Sequence, residues 1–370
     1  MNRRVITSLL LLLGFVTLRG QQTNAPIDFN QARQLMERRQ RGETLTNEER
    51  AYLERVNAER RKQQGSPANQ RLPRERLVPL TDMSASDRYE GEDGGLYGGG
   101  RNSPPEGHRR AAEAELGKIR PLNAEGQPDD EGVVGFVAIS MSNATQEFSR
   151  FKQLADRSPL KSPRVVIVDC AQGGQAMAEW APADGRPWDE ARRRLAAAKL
   201  SLRQVQVAWV KLANKGPTGS IQEHGRRLER DTLAVLQNAK AQFPNLRIVY
   251  LGSRTYGGYA IGGLNPEPYA YESAFAARWL IRRQVQGDVA LALTKSPLLL
   301  WGPYLWADGT TGRKCDSLVW ERLDFGADGV HPSDSGRQKV AGLLLSFFTT
   351  DPLAKSWFSA PTVGSIQPAR

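Results

Sequence analysis

The sequence Gly132-Val-Val-Gly-Phe-Val-Ala-Ile-Ser-Met-Ser-Asn143 carries no charge. It passes from a glycine through an unbroken apolar run, Val133–Ile139, into short polar residues. A continuous apolar run of this length, closed by Ser140, Met141, Ser142 and Asn143, reads as a strand buried on both faces, with a turn at its end. Val165–Val168 and Leu298–Trp301 repeat the pattern; Val205, Val207 and Trp209 alternate, with Ala208 and Val210 also apolar, and Leu246–Leu251 is one more candidate strand. Helical periodicity fills the intervals, at about 145–157, 187–200, 221–242 and 269–286. A last helix is expected over about 334–349, with Val340, Leu343, Leu344 and Phe347 on its buried side. Alternation of this kind predicts an α/β fold: a three-layer α/β/α sandwich around a five-stranded, mainly parallel sheet. Ligands are then expected at the C-terminal edge of the strands.

Small and polar residues gather at that edge. Ser142 leaves the first strand, where a sharp turn can present its hydroxyl and the following amides to one pocket. Ser140 is the local rival, and Asn143 is a candidate helix cap. Gly173 and Gly174 follow the second strand, either as a tight loop or as unobstructed amides facing an oxyanion. Arg254 and Tyr256 follow the fourth strand. The chain has three histidines, and His331 sits three residues after Asp328, just ahead of the last helix. That spacing lets a carboxylate hold one ring nitrogen and leave the other to take a hydroxyl proton. Asp334 reads instead as a partner of the helix dipole. His108, His224 and His331 are scattered, so no metal site is expected. No phosphate-binding or dinucleotide-binding loop is present, and no cofactor is expected.

The 132–143 block and Asp328-Gly-Val-His331-Pro332 resemble the first and last blocks of the SGNH (GDSL-like) hydrolases. Ser142-Asn143, with Gly173-Gly174 followed by Trp180, is similar to the sialate O-acetylesterase-like carbohydrate esterase branch. The resemblance covers roughly residues 132–350. It implies a Ser142–His331–Asp328 triad and ester hydrolysis through an acyl-enzyme, commonly releasing acetyl from sugars. It also implies oxyanion donors at Ser142, Gly173 or Gly174 and a third-block residue, for which Asn214 and Lys211 both stand open. The sequence departs from the pattern at Ser140 and Met141, where that family usually has glycine and an acidic residue. Asn143, Arg254, Tyr256 and Trp306 are expected at the substrate, an acylated carbohydrate or another small ester, because aromatic faces suit sugar rings and Arg254 suits an anion.

The 370 residues hold more than one such domain needs. Residues 1–25 read as a signal peptide, with Arg3 and Arg4 ahead of the apolar run Val5–Leu18. That run is short for a bilayer, so no stable transmembrane anchor is expected and the location is secreted or periplasmic. Residues 26–64 read as a basic helical hairpin or tether, with Gly42 as a break and Thr46 with Glu49 as a capping box. Residues 65–131 are rich in glycine and proline and read as an irregular segment wrapping the domain. Residues 351–370 read as a tail. The formal charge is +11, and losing residues 1–25 removes Arg3, Arg4, Arg19 and no acid, leaving +8. Such an excess suits anionic polysaccharide; export argues against nucleic acid. Cys170 and Cys315 either pair as a disulfide after export or stay free.

Overall fold

The computed structural model describes residues 45–63 and 77–360, with Gln31, Ala32, Leu35 and Arg38. The expected signal peptide lies outside the described residues. The chain divides into two compact units, residues 1–67 and 68–370.

In the first unit, helix α1 spans Asn47–Gln63. The capping box forms as expected: Glu49 N–H donates to Thr46 Oγ1 at 3.1 Å and Thr46 N–H to Glu49 Oε2 at 2.8 Å. Leu53 and Val56 are buried in a small cluster with Ala32, Leu35 and Leu45.

The second unit is built on five parallel strands: β1 (Val134–Ile139), β2 (Val165–Asp169), β3 (Val205–Lys211), β4 (Ile248–Gly252) and β5 (Leu298–Trp301). Their spatial order is β2-β1-β3-β4-β5. All four pairings are parallel, with Phe136 opposite Ile167 on one side and Val207 on the other. Every residue of β1, β3, β4 and β5 is buried, which explains why β1, β4 and β5 read as continuous apolar runs; β3 buries Gln206 and Lys211 as well. The order reverses at β1, so the crevice between the exits of β1 and β3 is where a ligand is expected.

Helix α2 covers Glu106–Leu116, α3 Ser142–Arg157, α4 Met177–Trp180, α5 Arg186–Ala197, α6 Arg226–Gln242, α7 Tyr269–Val285, α8 Asp334–Thr350 and α9 Lys355–Phe358. On one face α3 packs against α8. There Phe136 of β1 meets Phe148 at 5.2 Å and Phe348 at 4.8 Å between ring centroids. On the other side of the sheet, α6 packs against α7. The contact between α3 and α8 matters most for the site, because it brings the beginning and the end of the α/β unit together.

The core outruns the expected 132–350 boundaries at both ends. Leu80, Met83, Leu96 and Ala112 share one cluster with the sheet, so 77–131 belongs to the domain. Helix α2 escaped the sequence reading, and its His108 Nε2 bonds Leu299 O at 2.8 Å. The glycine-rich stretch does wrap: Trp301 Nε1 donates to Leu96 O at 2.8 Å and Trp279 Nε1 to Glu92 Oε1 at 2.8 Å. The expected tail is likewise corrected over 351–360, since Trp357 and Phe358 pack on Phe348 at 5.6 and 5.5 Å. Two large aromatic rings bury enough apolar surface to dock a four-residue helix.

The disulfide alternative is corrected. Cys170 is a buried free thiol, and Cys315 is free and exposed. Burial also pushes the Cys170 thiol well above its ordinary pKa. Under native conditions a maleimide should therefore label one cysteine, Cys315, with Cys170 reacting only on unfolding. Mass spectrometry showing two labels in the folded protein, or none in the unreduced denatured protein, would contradict this.

Candidate active site

Ser142 is the first residue of α3, directly after the β1 exit. Its backbone N–H and those of Asn143 and Ala144 precede the first helical hydrogen bond, Thr145 N–H to Met141 O at 3.1 Å, so the helix has no partner for them. Met141, the N-cap, supplies no side-chain cap. A negative charge developing near the Ser142 hydroxyl thus meets free amides and the positive end of a 16-residue helix. Ser140 is excluded as nucleophile: it is fully buried, and its hydroxyl donates to Lys211 O.

His331 reaches this hydroxyl from the segment before α8. Ser142 Oγ and His331 Nε2 are 2.7 Å apart, and His331 Nδ1 lies 2.5 Å from Asp328 Oδ2. Asp328 Oδ1 accepts the amides of Val330 and His331, each at 3.0 Å. Burial works to raise the Asp328 pKa, but the His331 hydrogen bond and the two amides outweigh it and hold the carboxyl at about 2. Asp328 is therefore ionised across neutral and mildly acidic pH. Because its folded pKa is depressed, its contribution to stability is complete above the unfolded value near 4 and fades as pH falls toward 2.

The loop itself is over-determined. Gly326 N–H donates to His331 O at 2.7 Å, and Ile261 N–H to Asp328 O at 3.0 Å. Gly329 has φ +68°, and a Cβ there would sit 1.8 Å from Tyr259 O. Only glycine fits. Asn143, 3% exposed, donates from Nδ2 to Val330 O at 2.7 Å. It ties the nucleophile's helix to the histidine loop, a positioning role rather than the expected place at the substrate. Asp334 is the exposed first-turn carboxylate it was read to be, 3.2 Å from Arg337.

Gly173 and Gly174 lie in the turn after β2, which Gln172 N–H pins to Ser140 O at 2.9 Å. Both are exposed, with open space where a Cβ would be. Neither amide has a protein partner among the described residues. Asn214 is a correction. Its Oδ1 accepts Ala178 N–H at 2.9 Å and its Nδ2 donates to Asp231, so its side chain is spent on holding the loop after β3. Lys211 is no donor either: its Nζ sits 2.6 and 2.7 Å from the Glu147 carboxylate oxygens, both side chains sealed from solvent. Burial lowers the Lys211 pKa to about 8 against the opposing pull of Glu147.

Tyr256 and Trp306 are also corrected. They are 3% and 0% exposed and pack edge-to-face at 6.1 Å, so neither offers a face to a sugar ring. Glu267 escaped the sequence reading. It is half-buried next to Trp306 and accepts Trp306 Nε1 at 2.8 Å, Gly257 N–H at 2.7 Å and Tyr271 N–H at 3.0 Å. Burial pushes its carboxyl up to about 7 despite these donors. No run or spacing in the sequence marks it. Arg254 lies at the β4 exit, 3% exposed. Among the described residues no group of three or more His, Cys, Asp or Glu side chains is arranged to hold a metal ion. No described helix is long and apolar enough to cross a membrane.

A serine at the exit of the first strand, paired with an Asp-x-x-His before the last helix, is the arrangement expected from the resemblance to SGNH hydrolases. No protein-family model matches the sequence, and a search of curated proteins finds no match. Among solved structures, the chain is similar to a protein from Arabidopsis thaliana, with 13% identity, TM-score 0.32, and 54% of this chain and 66% of that one covered. A proposed acylhydrolase from Bacteroides fragilis shows 13% identity and TM-score 0.32 over 67% and 96% of the two chains. The periplasmic domain of a lipopolysaccharide acetyltransferase from Salmonella ser. Paratyphi A shows 13% identity and TM-score 0.33 over 66% and 97%. At this level of likeness no chemistry passes from those proteins to this one.

Proposed function

We propose that the protein is an exported serine esterase that removes an acyl group, acetyl above all, from a carbohydrate. One observation carries the reading: the Ser142 hydroxyl stands 2.7 Å from an imidazole whose other nitrogen is held by an ionised carboxylate. In this mechanism His331 Nε2 takes the Ser142 proton as Oγ bonds to the ester carbonyl carbon. The Ser142 amide and a Gly173 or Gly174 amide receive the oxyanion. The ester C–O bond then breaks, and His331 returns the proton to the departing sugar oxygen. Water, deprotonated by the same nitrogen, attacks the acyl-enzyme and releases the acid and Ser142. No step needs a metal or an organic cofactor. Export is supported by Arg3, Arg4 and the apolar run behind them, and attraction to anionic polysaccharide by the +8 charge that remains without residues 1–25.

One observation favours a second reading, a glycan-binding protein without turnover: Asn214, the expected third oxyanion donor, is engaged elsewhere. Stopped-flow release of 4-nitrophenol from 4-nitrophenyl acetate separates the two. A burst close to one equivalent per chain, followed by a slower steady rate, is the expected result. Release no faster than in buffer, together with saturable polysaccharide binding, would establish the binding protein instead.

A further inference from the structure

Arg254 stands in the loop leaving β4, on the same strand edge as Ser142 and Lys211, and is 97% withdrawn from solvent. Its backbone N–H donates to Ser273 Oγ at 3.0 Å, but its side chain is left over. Nε is sealed from solvent without a partner. Neither Nη atom donates to a protein group or lies in an ion pair among the described residues. A guanidinium keeps its charge in proteins and brings five donors, and a buried cation without hydrogen bonds is costly. Such a group calls for an account.

The carboxylates whose charge Arg254 feels are Glu147, Glu267 and Asp328, and each is already engaged. Lys211 takes both oxygens of Glu147. Glu267 accepts two amides and an indole N–H. Asp328 accepts two amides and the His331 ring. The Glu147–Lys211 pair is neutral as a unit and the ionised Asp328 balances Arg254 only through space, so among the described residues no carboxylate pairs with its guanidinium. A planar fork with free donors is matched best by a carboxylate bound through both oxygens.

From this unpaired guanidinium, at the strand edge that carries Ser142 and within the field of Asp328, we infer that Arg254 is a specificity residue, and that the preferred substrates are esters bearing a carboxylate next to the scissile bond. A uronic-acid sugar carries that group on the alcohol side and a dicarboxylic half-ester on the acyl side; the chemistry recognised is the same. The inference rests on the esterase reading and narrows it.

The test compares matched esters. Mono-(4-nitrophenyl) succinate is set against its methyl ester for the acyl side, and 4-acetoxybenzoate against its methyl ester for the alcohol side. In the intact protein, kcat/KM for the charged member of at least one pair should exceed its neutral twin by about 10- to 100-fold, the range of a charge-assisted hydrogen-bonded contact. That ratio should fall to about one in Arg254→Met and stay partly elevated in Arg254→Lys, which keeps the charge but loses the fork. A ratio near one for both pairs in the intact protein overturns the inference, even if Arg254→Met fails to fold. So does a high ratio that survives Arg254→Met. Ser142-dependent cleavage of the neutral twins without discrimination defeats the inference and leaves the esterase standing. No Ser142-dependent cleavage of any ester defeats both.

Discussion

Ser142→Ala and His331→Ala should each lower kcat on an activated aryl ester by about 10⁵-fold or more, and the double variant should be scarcely worse. The two groups act as one unit. The hydroxyl is a weak nucleophile until the imidazole takes its proton, and the imidazole has nothing to deprotonate when the hydroxyl is gone. The fully buried Ser140 hydroxyl, committed to Lys211 O, cannot substitute. Asp328→Asn should cost less, about 10³- to 10⁴-fold, because it spoils the ring's tautomer and orientation while leaving both reacting atoms in place. Steady-state kinetics on the three single variants and the double variant check the pattern. Additive losses in the double variant would mean that Ser142 and His331 serve separate steps, contrary to the 2.7 Å contact.

The second large effect concerns stability. Lys211→Met should destabilise the fold by about 3–5 kcal/mol, since it leaves the Glu147 carboxylate buried without its partner. Replacing both members, as in Glu147→Leu with Lys211→Met, should recover much of that loss, because the desolvation of two charges disappears together. Urea unfolding of the single and double variants measures this. A single-variant loss below about 1 kcal/mol would show the pair to be dispensable. The pair joins α3 to the end of β3, so the same substitution should also lower kcat by disturbing the helix that carries Ser142.

Strands and triad were legible because each leaves a local mark. The buried strands are strongly apolar stretches, broken only by residues such as Gln206, and all five appear within two residues of where those stretches predict them. Asp328 and His331 are three residues apart in a turn, so their contact is encoded nearby. Ser142 was legible through its place at a strand exit, although the residues it meets lie 189 positions away. Residues whose role depends on what covers them were not legible. Tyr256 and Trp306 occupy loops yet are roofed by neighbours, and a sequence does not show the roof. The Lys211–Glu147 pair spans 64 positions, so Lys211 stands in the sequence as an open oxyanion candidate behind Asn214. Helix α2 was hidden because it follows two prolines and a long glycine-rich stretch, and four of its eleven residues, His108, Ala112, Glu115 and Leu116, are buried.

The central claim is that Ser142 is a nucleophile activated by His331. Its most direct test is intact-mass and peptide mass spectrometry after exposure to a fluorophosphonate, which bonds covalently to an activated serine. The wild-type chain should gain one adduct, located on Ser142, and His331→Ala should gain none at the same exposure. An unmodified Ser142 in wild-type protein that cleaves esters, or an adduct located on another residue, would contradict it.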